Sequence, residues 1–333
     1  MPRKVTIQDI SRVAGASPST VSRVLTGNAS VSPEKRLAIE NAIKQLNYRP
    51  SHIARSLKTS TTMSVGLLLN EINNPFYSNV ARGVEEVANQ RGYSLILCNT
   101  NEDPERELQY LHVLQDKQVD GIILGPTGHN VEHIAQLAER TPLVQIDRQI
   151  ESNKLSAVLV DNEEGGYQAV RAFINKGHRR IALFTWHKPT IPTIAHRRAG
   201  YERALREANL PIDPTLVVDI PELTPEHTAE LTIALLRQPD PPTALFALNN
   251  RIALGVISAI SQLGLKMPQE VSLIVFDDLD FFAVVKPAIS AVAQPSFQMG
   301  EEAMRLLFRQ IETPDCPAEI VILPTELILR ETV

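Results

Sequence analysis

Nine side chains of this 333-residue sequence stand where β-forming runs end or helical runs begin: Asn70, Asp147, Arg148, Asp161, Trp186, Asn249 and Asp277 after strands, Phe76 and Arg197 at helix starts. Carboxylate, guanidinium and amide groups are planar and two-pronged, so they suit pairs of neighbouring hydroxyls, while an aromatic face covers the apolar side of a sugar ring. Together they predict reversible capture of a small polar ligand. Singly, each reads equally well as loop punctuation, and Asp147 and Arg148 could simply brace one another. A second group, Ser19, Ser22, Arg23 and Thr26, shares one helix face. Hydroxyls bond phosphates or bases, and a guanidinium on guanine O6 and N7 contributes about 1–3 kcal/mol of discrimination. The bland alternative is a solvated face; the basic surroundings and the turn before the helix favour DNA.

Nothing in the sequence asks for covalent chemistry: there is no phosphate-binding Gly loop, nucleophile elbow or zinc-protease motif. His129 and His133 form an H-x3-H pair, but Gly128 and Asn130 place His129 in a loop and no third ligand follows, so two surface histidines, no metal and no cofactor are expected. Cys98 and Cys316 fit neither a metal spacing nor a disulfide framework, as in a reducing compartment. The start, MPRKVTIQDI, lacks the apolar core of a signal peptide, and no run approaches the roughly 18 apolar residues of a membrane span, which predicts a cytoplasmic protein. With 43% hydrophobic and 21% charged residues the chain suits a soluble globular protein of two or three units.

The net charge of −5 conceals an asymmetry. Residues 1–60 hold ten Lys or Arg against Asp9, Glu34 and Glu40, whereas the remainder holds 23 basic and 35 acidic residues. A basic module on an acidic body is the footprint of a nucleic-acid binder whose larger part does something else. In that module Thr6 is expected to cap a helix that buries Ile10, Val13 and Ala14 and stops at Gly15. Ser17 caps the next, with Pro18 at its first position and Val21, Val24 and Leu25 as its apolar stripe. Two short helices so close together are a helix-turn-helix. A third, capped by Ser32 ahead of Pro33 and Glu34, buries Ile39, Ala42, Ile43 and Leu46, and the small shared core predicts marginal stability in isolation.

From Ser64 the pattern alternates. SVGLLL, YSLILC, DGIIL and PLVQID are separated by helices over 76–91, 104–116 and 131–139, and SAVLVD, RIALF, LVVDI, ALFAL and SLIVFD by helices over 163–176, 197–208, 225–237 and 250–263. Continuous apolar strands alternating with amphipathic helices predict parallel sheets, and two such series predict two lobes that bind ligand at their strand ends. Gly92, Gly177 and Gly264 punctuate helix ends.

Module and body are joined by NYRPSHIARSLKTSTT, Asn47 to Thr62. Pro50 stops the third helix and Ser51 caps a short one over residues 52–58, well below the roughly 12–15 residues needed for marginal stability alone. Ile53 and Leu57 have no core to join. Such a helix needs partners, and the same helix of a second subunit together with a DNA minor groove supplies them.

VTIQDISRVAGASPSTVSRVLTGNASVSPEKRLAIENAIKQLNYRPSHIARSLKTSTT resembles, nearly end to end, the headpiece and hinge of the lactose-repressor (LacI/GalR) family of bacterial transcription regulators. The likeness continues through NPFY, VDGIIL, QIDR, VDN, GHRRIAL, HRRAGY, NNRIALG and VFDD. The resemblance implies that Ser19 and Arg23 recognise bases, that Ser17, Thr20 and Ser22 brace the DNA backbone, that Pro18 occupies a specificity position, and that Thr6, Asn28 and Tyr48 add contacts. It further implies paired hinge helices in the minor groove of a palindromic operator, Leu57 wedged between base steps, Ala54 and Lys58 on the groove and Ile53 against its twin. In the body it puts Asp147, Arg148, Arg197, Asn249 and Asp277 at effector-contacting positions, with Asn250 in place of an acidic residue often found there.

The expected architecture is a small all-α helix-turn-helix headpiece (1–49), a hinge helix and linker (50–62), and an α/β body of two doubly wound lobes of the type I periplasmic-binding-protein kind (63–333). The resemblance implies lobe one over about 63–161 with 292–322 and lobe two over about 162–291 with 323–333. The expected function is that of a cytoplasmic, nucleoid-associated homodimeric repressor, not an enzyme, which reads palindromic double-stranded DNA under control of a small-molecule effector, a sugar first. A purine or nucleoside effector is the alternative within this fold, and a DNA-binding domain fused to a sugar-processing enzyme the alternative of another class. An exported sugar-binding protein would share the lobes but would need a signal sequence and no helix-turn-helix. The end, ELILRETV, carries no heptad tail, so a dimer is expected rather than a tetramer. Whether effector releases or secures DNA stays open, since either follows from the lobe arrangement it prefers.

Overall fold

The computed structural model describes residues 5–25, 30–48, 61–150, 155–186 and 191–333. The chain divides into two compact units, Met1–Thr62 and Met63–Val333. The first holds α1 (Ile7–Ala14), α2 (Pro18–Leu25) and α3 (Pro33–Gln45). Thr6 and Asp9 close a capping box at the start of α1, the Thr6 N–H donating to the Asp9 carboxylate at 2.9 Å, and Gly15 ends the helix at φ 60°, where a glycine is least strained. The Thr20 N–H donates to Ser17 Oγ at 3.2 Å, so Ser17 caps α2. Ser32 stands before α3 but makes no side-chain cap bond; Pro33 behind it has no N–H, which leaves one donor fewer to satisfy. Ile10, Val21, Val24, Val31, Ile39 and Ala42 form the core, with Ile7, Ala14, Ile43, Leu46 and Tyr48 at its edge. Val13, expected inside, is 47% exposed, because α1 meets its neighbours along Ile7, Ile10 and Ala14 instead.

The second unit runs β1 (Ser64–Leu69), α4 (Pro75–Gln90), β2 (Ser94–Asn99), α5 (Pro104–Asp116), β3 (Gly121–Leu124), α6 (Val131–Ala138), β4 (Leu143–Ile146) and β5 (Ser156–Val160), then α7 (Asn162–Asn175), β6 (Ile181–Trp186), α8 (Pro192–Glu207), β7 (Val217–Ile220), α9 (Pro225–Leu236), β8 (Ala244–Ala247), α10 (Asn250–Leu263) and β9 (Ser272–Phe276). It closes with β10 (Ser290–Ala293), α11 (Ser296–Glu312), β11 (Ile320–Leu323) and β12 (Glu326–Ile328). The strands form two six-stranded sheets, β11-β5-β4-β3-β1-β2 and β12-β10-β9-β8-β6-β7. Every pairing is parallel except β12 against β10. The chain passes from one sheet to the other after β5, after β10 and after β11.

Strand alternation explains how each sheet buries both faces. In β1, Val65, Leu67 and Leu69 join a core with residues of α4 and α11, while Leu68 points the other way to meet Leu111, Leu114 and Ile134 of α5 and α6. The second sheet builds its own core around Phe173, Phe184, Tyr201, Phe246 and Phe276. Helices α4 and α11 pack so closely that a Cβ on Gly83 would strike the Phe297 carbonyl and one on Gly300 the Val80 carbonyl. Helix α8 begins at Pro192, five residues before the expected start at Arg197, since a proline at the first helical position is pre-organised for it. Arg197 therefore lies in the second turn rather than opening the helix.

Candidate functional site

On α2 the core takes Val21 and Val24, which turns Pro18, Ser19 and Arg23 to solvent and leaves Thr20 and Ser22 half-buried. Ser17 Oγ lies 2.8 Å from both Ser19 Oγ and Thr20 Oγ1, a hydroxyl cluster at the start of that face. Tyr48 packs on the core, and the Thr6 hydroxyl is engaged with Asp9. Thr26 and Asn28, and the hinge positions Ile53, Ala54, Leu57 and Lys58, lie outside the described residues.

In the body, the strand ends of both sheets meet at one cleft. Phe76, Asp147, Arg148, Trp186, Arg197, Asn249 and Asp277 line it, as the sequence predicts. The space they enclose is about 600 Å³ counting the part open to solvent. Two predicted residues stand elsewhere. Asp161 is exposed and caps α7 by accepting from the Glu164 N–H at 2.9 Å, for it sits where the chain leaves the first sheet. Asn70 is fully buried behind the wall, where the amide orientation that satisfies both ends donates to the Gly125 carbonyl at 3.0 Å and accepts from Arg148 Nη1 at 3.1 Å.

The polar cleft groups are held mostly by neighbours outside the predicted set. Tyr77 Oη donates to Asp147 Oδ2 at 2.9 Å, and Gln294 Nε2 donates to Asp277 Oδ1 at 2.5 Å. Arg148 gives Nη1 and Nη2 to the two oxygens of Glu102, at 2.8 and 2.6 Å, and turns Nε toward Asp147 Oδ2 at 3.4 Å. Arg197 donates from Nε to Asn162 Oδ1 at 2.8 Å and from Nη1 to the Leu248 carbonyl at 2.7 Å, with its guanidinium 3.6 Å from the Phe276 ring centre. Asn249 caps α10, accepting from the Ile252 N–H at 2.8 Å. Two contacts reach across the cleft from α10 to the segment before α4: Asn250 Nδ2 donates to Asn74 Oδ1 at 2.8 Å, and Arg251 Nη1 lies 3.2 Å from Glu71 Oε2.

Burial sets the electrostatics. It pushes the Asp147 carboxyl above the ordinary carboxylate range, against the pull of Arg148, Arg197 and the Tyr77 hydrogen bond. It likewise raises the Tyr77 phenol well above its usual value and lowers the Arg197 guanidinium. For Arg148 burial works downward, but Tyr77, Glu102 and Asp147 outweigh it and the group is raised. Such an arrangement holds fixed acceptors and donors around a polar guest, with Phe76 and Trp186 as apolar wall. Among the described residues it presents no nucleophile poised beside a base. His129 accompanies the Thr127 carbonyl at 3.2 Å and His133 packs edge-on against His112; among the described residues no group of three or more His, Cys, Asp or Glu is placed to hold a metal ion. No helix among them is long and apolar enough to cross a membrane.

A helix-turn-helix unit and a two-lobed unit with a polar cleft, in one chain, define a ligand-responsive DNA-binding regulator. The description "Bacterial regulatory proteins, lacI family" fits residues 6–51, and "Periplasmic binding protein-like domain" fits residues 170–333. Catabolite control protein A of Priestia megaterium is 35% identical over 98% of this chain and 99% of its own. The HTH-type transcriptional repressor PurR of Histophilus somni is 35% identical over 98% of each chain. The solved transcriptional regulator CelR–cellobiose complex superposes with a TM-score of 0.73 at 29% identity, covering 99% of this chain and 100% of that one. The chain belongs to the lacI family of bacterial regulatory proteins and is a DNA-binding transcriptional regulator, not an enzyme.

Proposed function

We propose that this regulator is a cytoplasmic homodimer that represses from a palindromic operator and that a sugar in the cleft sets its affinity for DNA. The observation that carries the reading is the convergence of Asp147, Arg148, Arg197, Asn249 and Asp277 on one cleft walled by Phe76 and Trp186. Fixed carboxylates and a guanidinium match vicinal hydroxyls, and the aromatic faces match the apolar side of a sugar ring. The likeness to a regulator solved with cellobiose supports the same class. On the DNA side, residues 1–49 present Pro18, Ser19 and Arg23 to base edges, with Ser17, Thr20, Ser22, Thr6, Asn28 and Tyr48 as further contacts. Residues 50–62 serve as hinge: a helix over 52–58 that orders only against its twin and the minor groove, with Leu57 as wedge, Ala54 and Lys58 on the groove and Ile53 between subunits.

The test is a titration of the full-length protein, by thermal shift and by operator-binding anisotropy, with monosaccharides, disaccharides, sugar phosphates and nucleobases. A sugar is expected to shift both readouts. In Arg197→Ala the sugar response is expected to weaken roughly 10–100-fold, the equivalent of a charge-assisted hydrogen bond or more, while operator binding without ligand persists. A shift with a nucleobase and none with any sugar refutes the sugar reading, and an unchanged response in Arg197→Ala removes that residue from the site.

A further inference from the structure

We infer that Glu102 sets the charge class of the ligand: by occupying the guanidinium fork of Arg148 it restricts the cleft to uncharged sugars, and its removal opens the same site to sugars that bear a carboxylate. This deepens the sugar reading above and rests on it.

An arginine in a ligand cleft is the ordinary grip for a carboxylate or phosphate, through two parallel N–H···O bonds from one edge of the guanidinium. Here that edge is filled by the protein itself. Both terminal nitrogens of Arg148 bond the two oxygens of Glu102, and Nε faces Asp147. One cation therefore sits among two carboxylates. Arg148 is 8% exposed and the Glu102 side chain 22%, so the pair is screened weakly and an incoming anion would have to displace Glu102 into a cleft already negative. The other two guanidiniums offer no open fork. Arg251 is engaged with Glu71, and Arg197 has given Nε and Nη1 to Asn162 and Leu248. Among the described residues the lining carries Glu71, Glu102, Asp147 and Asp277 against Arg148, Arg197 and Arg251.

What the cleft does offer is acceptors. Gln294 Oε1 is buried without a hydrogen-bond partner, and one oxygen each of Asp147 and Asp277 has none among the described residues, their other oxygens being bonded by Tyr77 and Gln294. Hydroxyl groups of an uncharged polyol donate to such oxygens; a carboxylate or phosphate has nothing to donate. The backbone also fixes Glu102 in place. Asn101 and Glu102 are consecutive non-glycine residues at φ 54° and 58°, a conformation that persists only where surroundings hold it, in the loop between β2 and α5. That loop carries the Glu102 carboxylate to Arg148, 46 residues away in the chain.

The experiment is calorimetric titration of the full-length protein with aldoses paired with their aldonates and phosphate esters: D-ribose, D-ribonate and D-ribose 5-phosphate; D-glucose, D-gluconate and D-glucose 6-phosphate; cellobiose and cellobionate. The wild type is expected to bind at least one uncharged sugar and to bind its charged counterparts at least tenfold more weakly. Glu102→Gln is expected to narrow or invert that ratio at least tenfold, and the added Arg148→Met is expected to remove the gain, since the released cation is its cause. Melting temperature and operator affinity report whether each variant is folded; if Glu102→Gln is not, Glu102→Asp, which keeps the charge but shortens its reach, gives the same reading with a smaller change. A wild type that prefers the acid or ester, or a Glu102 variant with an unaltered ratio, overturns the inference while leaving the sugar reading intact. If no sugar of either kind binds any variant, the sugar reading falls and this inference with it.

Discussion

Asp147 and Asp277 occupy corresponding places in the two sheets. Each follows the third strand of its sheet, each has a positive φ (67° and 80°), and each N–H donates at 3.0 Å to a carbonyl of the second strand, Val158 or Val292. A left-handed aspartate costs about 1–3 kcal/mol and survives where packing enforces it, often at ligand sites. Two facing carboxylates are thus delivered by the same local device. Burial raises the Asp147 carboxyl above the ordinary value of about 3.9. Its charged form is the one the fold disfavours, so its ionisation lowers stability as pH rises through the raised value, and a ligand hydroxyl that donates to the carboxylate offsets that loss. Sugar affinity is then expected to be full above the raised value and to fall, by up to about tenfold per unit, as pH drops through it, in a range above that of an exposed carboxylate. Asp147→Asn should bind more weakly and without this pH dependence. A wild-type profile that stays flat down to the ordinary carboxylate range speaks against an ionised Asp147 as acceptor. Most of these residues were legible because ligand sites follow strand ends. The same rule carried to β2 and β10 reaches Glu102 and Gln294, which were missed, whereas Tyr77 lies beside the predicted Phe76 and gives no signal of its own.

Elements position these residues through packing that tolerates little change. At the α4–α11 crossing, a Cβ on Gly300 would press on the Val80 carbonyl oxygen, which is backbone and has no rotamer to yield. Alanine in place of a helical glycine ordinarily stabilises by about 1 kcal/mol, while forcing two packed helices apart costs roughly 1–3 kcal/mol or more. The second effect is expected to win, so Gly300→Ala should lower the urea midpoint of the unit Met63–Val333. A midpoint at or above wild type would show that the helices accommodate the methyl group. Alternating apolar runs revealed β1 to β9 and the helices between them, since each run is continuous or amphipathic over enough residues to be read. The predicted series stops at Asp277. Beyond it β11 and β12 follow one another with no helix between them and β12 pairs antiparallel, so the strand–helix alternation does not mark them. The stripe of Met299, Ala303, Met304 and Leu307 in α11 was readable at helical spacing. The early start of α8 places its first residue at Pro192, ahead of the expected start at Arg197.

For the whole molecule the question is how cleft occupancy reaches DNA. The lobes are joined by three chain crossings and, across the cleft mouth, by the Asn250–Asn74 bond and the Arg251–Glu71 pair. Arg251 and Glu71 are 45% and 24% exposed, and such pairs contribute about 0–1 kcal/mol. These cross-cleft contacts are therefore weak, and in the proposed reading a ligand that bonds both sheets would outweigh the latch and set the lobe arrangement by its differential affinity. In the proposed reading a hinge helix over 52–58, outside the described residues, would convert that arrangement into operator affinity, because a segment below the roughly 12 residues of marginal helix stability orders only when geometry supplies its partners. Leu57→Ala removes the proposed wedge. Operator affinity is expected to fall at least tenfold, about 1.4 kcal/mol, while sugar affinity and the melting of the body stay at wild-type values. Amide exchange should show residues 52–58 protected only with operator present. Equal protection with and without DNA, or unaltered operator affinity in Leu57→Ala, would mean that the lobes signal by another route.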